Sequence, residues 1–174
     1  VFTAPLAYAT LSQFFFAIED EVVAIFGLKD SPKEGAKESI ARLLALGIDI
    51  TILSGDHEEV VKEIAKEVGI KKYKSSLLPH EKADYIEALQ KEGHKVVMVG
   101  DGINDSLALA KSEIAIAMGS GADVAVEVSD VVLTNDSFER LHEAFVISRK
   151  TLRIIKENLA FSLLYNLITI PLAM

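Results

Sequence analysis

The stretch that most constrains the fold is an apolar run that ends in an acidic, glycine-containing loop. Residues 96–99 are all apolar, and the acidic loop (residues 100–105, Gly-Asp-Gly-Ile-Asn-Asp) follows them directly. A short apolar run of this kind is typical of a strand buried on both faces of a parallel sheet. Because ligands of open α/β sheets bind beyond the carboxyl ends of the strands, we expect a binding site at this loop.

Three interpretations of the acidic loop compete. Gly100 and Gly102 supply two of the three glycines of a dinucleotide-binding fingerprint, but Asp105 would place a charge where pyrophosphate should lie. A solvated turn would also use Asp and Asn, for turn geometry alone. We favour the third interpretation, a Mg²⁺ site for phosphoryl chemistry. The carboxylates of Asp101 and Asp105 and the amide of Asn104 are hard oxygen ligands, which Mg²⁺ prefers and combines with substrate phosphate.

The size and composition of the chain limit the classes of function. With 174 residues, one domain with a sizeable core is expected. The formal net charge of −8 argues against a nucleic-acid partner. The chain has no cysteine, which excludes disulfides, thiolate metal sites and a cysteine nucleophile within these residues. Because the chain begins with Val, we expect a piece of a longer protein, and residues 1–13 stay unassigned.

Helix and strand patterns alternate along most of the chain. Residues 14–18 and 22–28 are predicted to form a hairpin. A helix is predicted over residues 33–46, and further helices separate strands predicted at residues 48–53, 73–76, 96–99, 113–118 and 130–134. This alternation indicates an α/β fold, a Rossmann-like parallel sheet flanked by helices.

The last part of the chain is predicted to be one long helix with no stop signal before Pro171. From Leu159 to Met174 the sequence carries no charge, but these 16 residues are fewer than the roughly 20 needed to span a bilayer. A buried core helix and a membrane helix cut short by the end of the chain both fit this pattern. Basic residues just before the run favour the membrane helix.

Two further segments carry groups that could act together with the acidic loop. Ser54-Gly55-Asp56 follows a predicted strand and offers a hydroxyl and backbone N–H groups that suit an anion, although an ordinary helix cap is the alternative. Lys82 lies on the first turn of its helix, where a cation opposes the macrodipole, although most lone lysines are solvated. Brought together, these groups would form a phosphoryl-transfer site that acts by positioning and charge stabilisation. No aspartate in the chain has the sequence context of a phosphorylated nucleophile.

These motifs together resemble a known family. Ser54-Gly55-Asp56, Pro79-x-x-Lys82 and the acidic loop are similar, in order and spacing, to the later motifs of the haloacid-dehalogenase superfamily. They are more closely similar to the phosphorylation domain of P-type ATPases. Residues 119–125 and 130–133 look like the heavy-metal-transporting subgroup of these pumps.

The resemblance implies a role for each candidate site residue. Asp101 and Asp105 would hold Mg²⁺, while Lys82 and Ser54 would bind the oxygens of an aspartyl phosphate. The other site residues implied by the resemblance are Asp56, Asn104, Gly55, Gly100 and Gly102.

The resemblance also implies what surrounds this chain. The phosphorylated Asp-Lys-Thr-Gly-Thr segment and the domain that binds most of the ATP would lie upstream, so this chain alone is expected to be inactive. Residues 14–136 would be the C-terminal part of the phosphorylation domain, on the cytoplasmic side of a membrane. Residues 137–158 would be a stalk helix, and residues 159–174 a truncated transmembrane helix of a multi-pass protein.

Tyr165 and Asn166 bear on the transported ion. A tolerated polar pair is the plain alternative, but polar groups at membrane depth often mark ion paths. Copper-transporting members of the family carry a Tyr-Asn pair in this helix, whereas zinc- and cadmium-transporting members tend to carry a lysine. The resemblance therefore implies a pump that exports Cu⁺. The alternatives are a Zn²⁺ or Cd²⁺ pump, a soluble phosphatase of the same superfamily and a non-catalytic regulatory domain of the same fold.

Overall fold

Short parallel strands alternate with helices through the central part of the chain. The structure is a computed structural model that describes residues 12–18, 21–28, 31–119, 123–134 and 137–173. After an N-terminal pair of strands, the elements in chain order are α1 (Ala36–Ala45), β3 (Thr51–Leu53), α2 (Glu58–Val68), β4 (Lys72–Lys74), α3 (Pro79–Lys91), β5 (Val97–Gly100), a 3₁₀ turn (Ile103–Asp105), α4 (Ser106–Lys111), β6 (Ile114–Met118), α5 (Asp123–Glu127), β7 (Val131–Leu133) and α6 (Phe138–Ala173).

The N-terminal pair is the predicted hairpin. Strands β1 (Ser12–Ile18) and β2 (Glu21–Leu28) are antiparallel, with Phe15 opposite Ile25. The pairing register shifts between Phe16 and Ala17. Residues 19–20, which lie between the two strands, are outside the described residues.

The remaining strands are parallel, as predicted, but the described residues form two small sheets and not one continuous sheet. One sheet pairs β3 with β4, and the other has the order β5-β6-β7. The strand predicted over residues 48–53 is reduced to Thr51–Leu53. Its first residue instead closes the preceding helix, because the Ile48 N–H donates to the Leu43 carbonyl at 3.4 Å. The strand predicted over residues 73–76 begins one residue earlier and ends two residues earlier, as Lys72–Lys74.

The core lies between α1, the three-stranded sheet and the first turns of α6. On α1 the residues Ala36, Ile40 and Leu43 are buried, at the i, i+4 and i+7 spacing of one helix face. Leu43 packs in one cluster with Ile116, Met118, Leu133 and Leu141. Each such side chain contributes roughly 1.5–3 kcal/mol through burial. This core holds the carboxyl ends of the strands, and the loops that follow them, in place.

Helix α6 begins in this core and then leaves it. Ser137 caps it, since its Oγ accepts the Glu139 N–H at 3.2 Å. Residues 149–168 are exposed throughout. The predicted stop at Pro171 is wrong, because the helix continues to Ala173. A proline this close to a helix end removes one hydrogen bond and interrupts little of the helix. In the described part of the chain, no helix combines the length and the apolar character needed to cross a membrane.

The carboxylate of Glu113, just before β6, gives the fold a testable pH dependence. Glu113 accepts the Val96 N–H at 2.8 Å, and this bond, together with one from the Gln90 side chain, lowers the pKa of Glu113. A lowered folded-state pKa stabilises the fold fully above the ordinary value of about 4.3, and this stabilisation disappears as the pH falls through the folded-state pKa. Glu113→Gln should therefore unfold more easily than the parent at pH 7, with a difference that shrinks at lower pH. Urea unfolding between pH 3 and pH 7 measures this; a constant difference would contradict it.

Candidate active site

The candidate site lies beyond the carboxyl ends of β3 and β5, one strand from each parallel sheet. Ser54-Gly55-Asp56 follows β3, and the acidic loop starts at the last residue of β5. Both segments, together with the start of α3, face a cleft of about 300 Å³. Its lining residues are Ser54, Gly55, Asp56, Leu77, Pro79, Lys82, Asp101, Gly102, Asn104 and Asp105. The structure thus brings together all the predicted phosphate and magnesium residues except Gly100.

The hydroxyl of Ser54 is held by its own loop. Its Oγ donates to Asp56 Oδ2 at 2.7 Å, and the Asp56 N–H donates to the same Oγ at 3.2 Å. The residue that caps α2 is His57, so Ser54 does not serve as that cap. The loop therefore places a hydroxyl at the cleft without using it to begin the helix.

A second loop fixes the first one, and sequence reasoning missed it. Ser76 donates its N–H to the Asp56 carbonyl at 2.7 Å, and Leu77 donates its N–H to the Ser54 carbonyl at 3.0 Å. Ser76 adopts a left-handed backbone conformation with φ of 53°. That conformation is uncommon for a residue with a side chain. Nothing in the pattern of residues 73–76 distinguishes this turn from the strand predicted there.

Lys82 is buried at the base of the cleft, with 8% of the residue exposed. Its Nζ lies 2.7 Å from Asp105 Oδ1, and only 10% and 18% of the two side chains are exposed. The start of α3 is set locally by Pro79 in the first turn and by the Glu81 carboxylate, which accepts the Leu78 N–H at 2.7 Å. The nearby carboxylate offsets the cost of placing a cation in the first turn of a helix.

Gly100 supports this ion pair from behind the cleft. A Cβ atom at Gly100 would lie 2.9 Å from the Cβ of Asp105 and 3.1 Å from its Oδ2. Any larger residue would displace the Asp105 side chain. At Gly102, by contrast, the nearest atom to an added Cβ is the Asn104 N at 3.9 Å. Of the two glycines in the acidic loop, packing therefore requires a glycine at position 100 and not at position 102.

The two carboxylates of the acidic loop differ in surroundings. Asp105 is largely buried and paired with Lys82, whereas 58% of the Asp101 side chain is exposed. The Nζ of Lys33 lies 4.0 Å from Asp101 Oδ2, at the limit of an ion pair. Asn104 is also exposed at the cleft. Asp101 can therefore accept a cation from solvent, while one oxygen of Asp105 already accepts a hydrogen bond.

The donor set of the cleft fits Mg²⁺ and does not fit a metal held by protein ligands alone. Among the described residues there is no group of three or more His, Asp or Glu side chains that could hold a metal ion. Mg²⁺ keeps several waters and needs only one or two carboxylates alongside a phosphate. Asp101, with Asp105 beside it, meets that requirement.

Tyr165 and Asn166 lie on the exposed part of α6 and do not line the cleft. The Tyr165 side chain is directed to solvent, since 67% of the residue is exposed. Asn166 borders a shallow apolar depression that also contains Leu167 and Pro171. The structure therefore separates the predicted ion-path residues from the predicted phosphate residues.

Comparison with known families agrees with this geometry. Residues 3–112 match the family model described as haloacid dehalogenase-like hydrolase, and the chain belongs to this family. The α/β fold predicted from the sequence is confirmed. A phosphatase from Haemophilus influenzae that acts on deoxy-D-mannose-octulosonate 8-phosphate shares the fold alone, at 16% identity and a TM-score of 0.61.

The most informative relatives are P-type ATPases. The chain is 44% identical over 161 residues to a probable copper-importing P-type ATPase A of Enterococcus hirae, covering 91% of this chain and 22% of the relative. It is 44% identical over 155 residues to a copper-transporting ATPase of Helicobacter pylori, covering 89% of this chain and 21% of the relative. The chain thus spans about a fifth of the length of these curated relatives.

Solved structures of metal-transporting ATPases are also similar to this chain. A zinc-transporting PIB-type ATPase in the E2.Pi state superposes with a TM-score of 0.76 at 36% identity, over 88% of this chain and 25% of that one. The catalytic domain of a CPx-ATPase, CopB-B, gives a TM-score of 0.66 at 40% identity, over 74% of this chain and 51% of that one. The chain is therefore similar to part of the catalytic region of heavy-metal P-type ATPases, as the motifs indicate.

Proposed function

We propose that this chain is the C-terminal part of the phosphorylation domain of an ATP-driven metal pump. The observation that carries the proposal is the convergence of a hydroxyl, an ammonium and two carboxylates on one cleft, from Ser54, Lys82, Asp101 and Asp105. Similarity to P-type ATPases over about nine tenths of the chain supports it. In the whole protein, the cleft would receive an aspartyl phosphate formed with ATP on a segment outside residues 1–174.

Each group has a role that follows from its position. The single proton of the Ser54 hydroxyl is accepted by Asp56 Oδ2, so on binding phosphate the hydroxyl would turn to donate that proton to a phosphoryl oxygen. The backbone of Ser54 is fixed by the second loop. The Lys82 ammonium would share its charge between Asp105 and the phosphate. Asp101 and Asp105 are the residues that would hold Mg²⁺, which when bound neutralises charge on phosphoryl oxygens.

We propose copper as the transported ion and a membrane as the site of transport. Two relatives are named copper transporters, while a structural neighbour is a zinc transporter, so the Tyr165-Asn166 pair carries the choice of copper. The uncharged part of α6, from Leu159 onward, would lie in the membrane, and the cleft would face the cytoplasm. The Enterococcus hirae relative is named an importer, and the export implied by the motifs stays a prediction.

A phosphorylation experiment on the whole protein that contains this chain tests the proposal. With labelled ATP and Mg²⁺, we expect a covalent phosphoenzyme that hydroxylamine cleaves, and turnover that Cu⁺ stimulates and Zn²⁺ does not. The 174-residue chain alone should show no ATP turnover, because it lacks the nucleophile. Steady ATP turnover by the purified chain would overturn the proposal that the phosphorylated nucleophile lies outside residues 1–174. Turnover stimulated by Zn²⁺ and not by Cu⁺ would overturn the choice of ion.

A further inference from the structure

The charge of α6 is concentrated next to its uncharged part. Residues 149–173 contain four basic side chains and one acidic side chain, and no charged residue follows Glu157. The whole chain has a formal net charge of −8. This acidic protein therefore carries a positive segment immediately before an apolar helical stretch. We call residues Arg149, Lys150, Arg153 and Lys156 the basic collar.

Two members of the basic collar already have protein partners. Arg149 Nη2 donates to the Leu46 carbonyl at 2.8 Å, which ties α6 to the end of α1. Arg153 Nε donates to the Glu157 carboxylate at 2.8 Å, and 81% of the Arg153 side chain is exposed. A carbonyl is neutral, so the charge of Arg149 is not cancelled by its hydrogen bond. The collar thus keeps a net positive charge.

Lys150 and Lys156 are the members open to an external anion. Both residues are exposed. Within the part of the chain that the structure describes, no carboxylate lies at ion-pair distance from either of them. The positive charges of these two lysines therefore face solvent and are not neutralised by a carboxylate of the described residues.

Only the end of the collar nearest the apolar stretch lies within the width of a lipid headgroup layer. At a rise of about 1.5 Å per residue, Lys156 lies about 4.5 Å and Lys150 about 14 Å before Leu159 along the helix axis. The headgroup region adds roughly 5–7 Å on each side of the hydrocarbon core. Lys156 would lie inside that layer, and the long side chain of Lys150 would extend toward it.

We propose that the basic collar binds anionic lipid headgroups at the cytoplasmic face of the membrane. The proposal rests on the membrane position of α6 proposed above. Charge complementarity favours a phospholipid surface. Successive turns of α6 present first cations and then an uncharged apolar stretch, which is the order of charged headgroups and hydrocarbon in a leaflet. The role of the collar is then to set the depth of α6 and to make its membrane contact dependent on lipid charge.

Vesicle binding by the 174-residue chain tests this inference. We compare vesicles of phosphatidylcholine alone with vesicles that also contain phosphatidylglycerol, at low and at physiological salt. Because each lysine near such a surface contributes about fivefold in partitioning, Lys150→Gln/Lys156→Gln should weaken binding to the anionic vesicles by about 25-fold and leave binding to the neutral vesicles unchanged. The salt dependence should also decrease.

A matched control variant removes the same charge elsewhere. Lys62 and Lys66 are exposed on α2, and Lys62→Gln/Lys66→Gln should bind both kinds of vesicle as the parent does. Equal binding of the parent chain to neutral and anionic vesicles would overturn the lipid inference alone. So would equal losses in the two double variants. Failure of the parent chain to bind either kind of vesicle would overturn the membrane position of α6 as well.

Discussion

Replacing Lys82 by methionine should lower the free energy of unfolding of this chain by about 3 kcal/mol, since removing one partner of a buried ion pair typically costs 3–5 kcal/mol. The reason is the burial of the pair, whose atoms lie 2.7 Å apart with 10% and 18% of the side chains exposed. Without the ammonium, the Asp105 carboxylate stays in a poorly solvated position with no compensating charge. Urea unfolding at pH 7, followed by circular dichroism, measures the change.

A double variant separates the charge effect from the loss of packing. Lys82→Met/Asp105→Asn removes both charges, and it should be more stable than Lys82→Met alone because no uncompensated charge is left buried. Lys62→Met on the exposed face of α2 is the matched control, and its effect should stay within about 0.5 kcal/mol. A Lys82→Met variant as stable as the Lys62→Met control would show that the pair is not buried in solution.

The convergence of the site could be predicted from the sequence because a single parallel sheet was expected. Parallel strands of one sheet place their carboxyl ends at one edge, so the residues after both strands were expected to lie near each other. Among the described residues β3 and β5 belong to separate sheets, and the cleft still brings their loops together. The glycines and acids of the acidic loop identified the second strand end, and Ser54-Gly55-Asp56 the first. The fold class followed from the same alternation of helix and strand.

The division of labour inside the site could not be predicted in the same way. The family resemblance implied that Lys82 lies close to the acidic loop, but only the structure pairs it with Asp105 and leaves Asp101 open to solvent. The left-handed Ser76 has no signal of its own, because its conformation is imposed by bonds to residues 20 or more positions away along the chain. Some strands were predicted to be longer than they are for a related reason. Apolar residues such as Ile48 can pack in the core without forming the hydrogen bonds of a sheet.

In the whole protein, replacing Asp101 by asparagine should lower the rate of Mg²⁺-dependent phosphorylation on the order of 10²–10³-fold, the usual effect of losing one electrostatic contact to a developing charge. Asparagine keeps the shape and one oxygen but removes the charge that would attract a divalent cation. The side chain is 58% exposed, so the stability of the 174-residue chain should change by less than about 0.5 kcal/mol. Asp101→Asn would then affect the chemistry alone, whereas Lys82→Met would also affect the stability of the fold.

The initial rate of phosphoenzyme formation against Mg²⁺ concentration, together with urea unfolding, measures both halves of this prediction. Asp49→Asn is the matched control, since Asp49 is an exposed aspartate whose partner, Lys72 at 3.1 Å, is also exposed. It should leave phosphorylation and stability unchanged, because exposed ion pairs contribute little. If Asp101→Asn phosphorylates at the parent rate over the whole Mg²⁺ range, Asp101 does not hold the metal. Asp105 would then be the only carboxylate of the acidic loop left for that role, and one of its oxygens already accepts a hydrogen bond from the Lys82 ammonium.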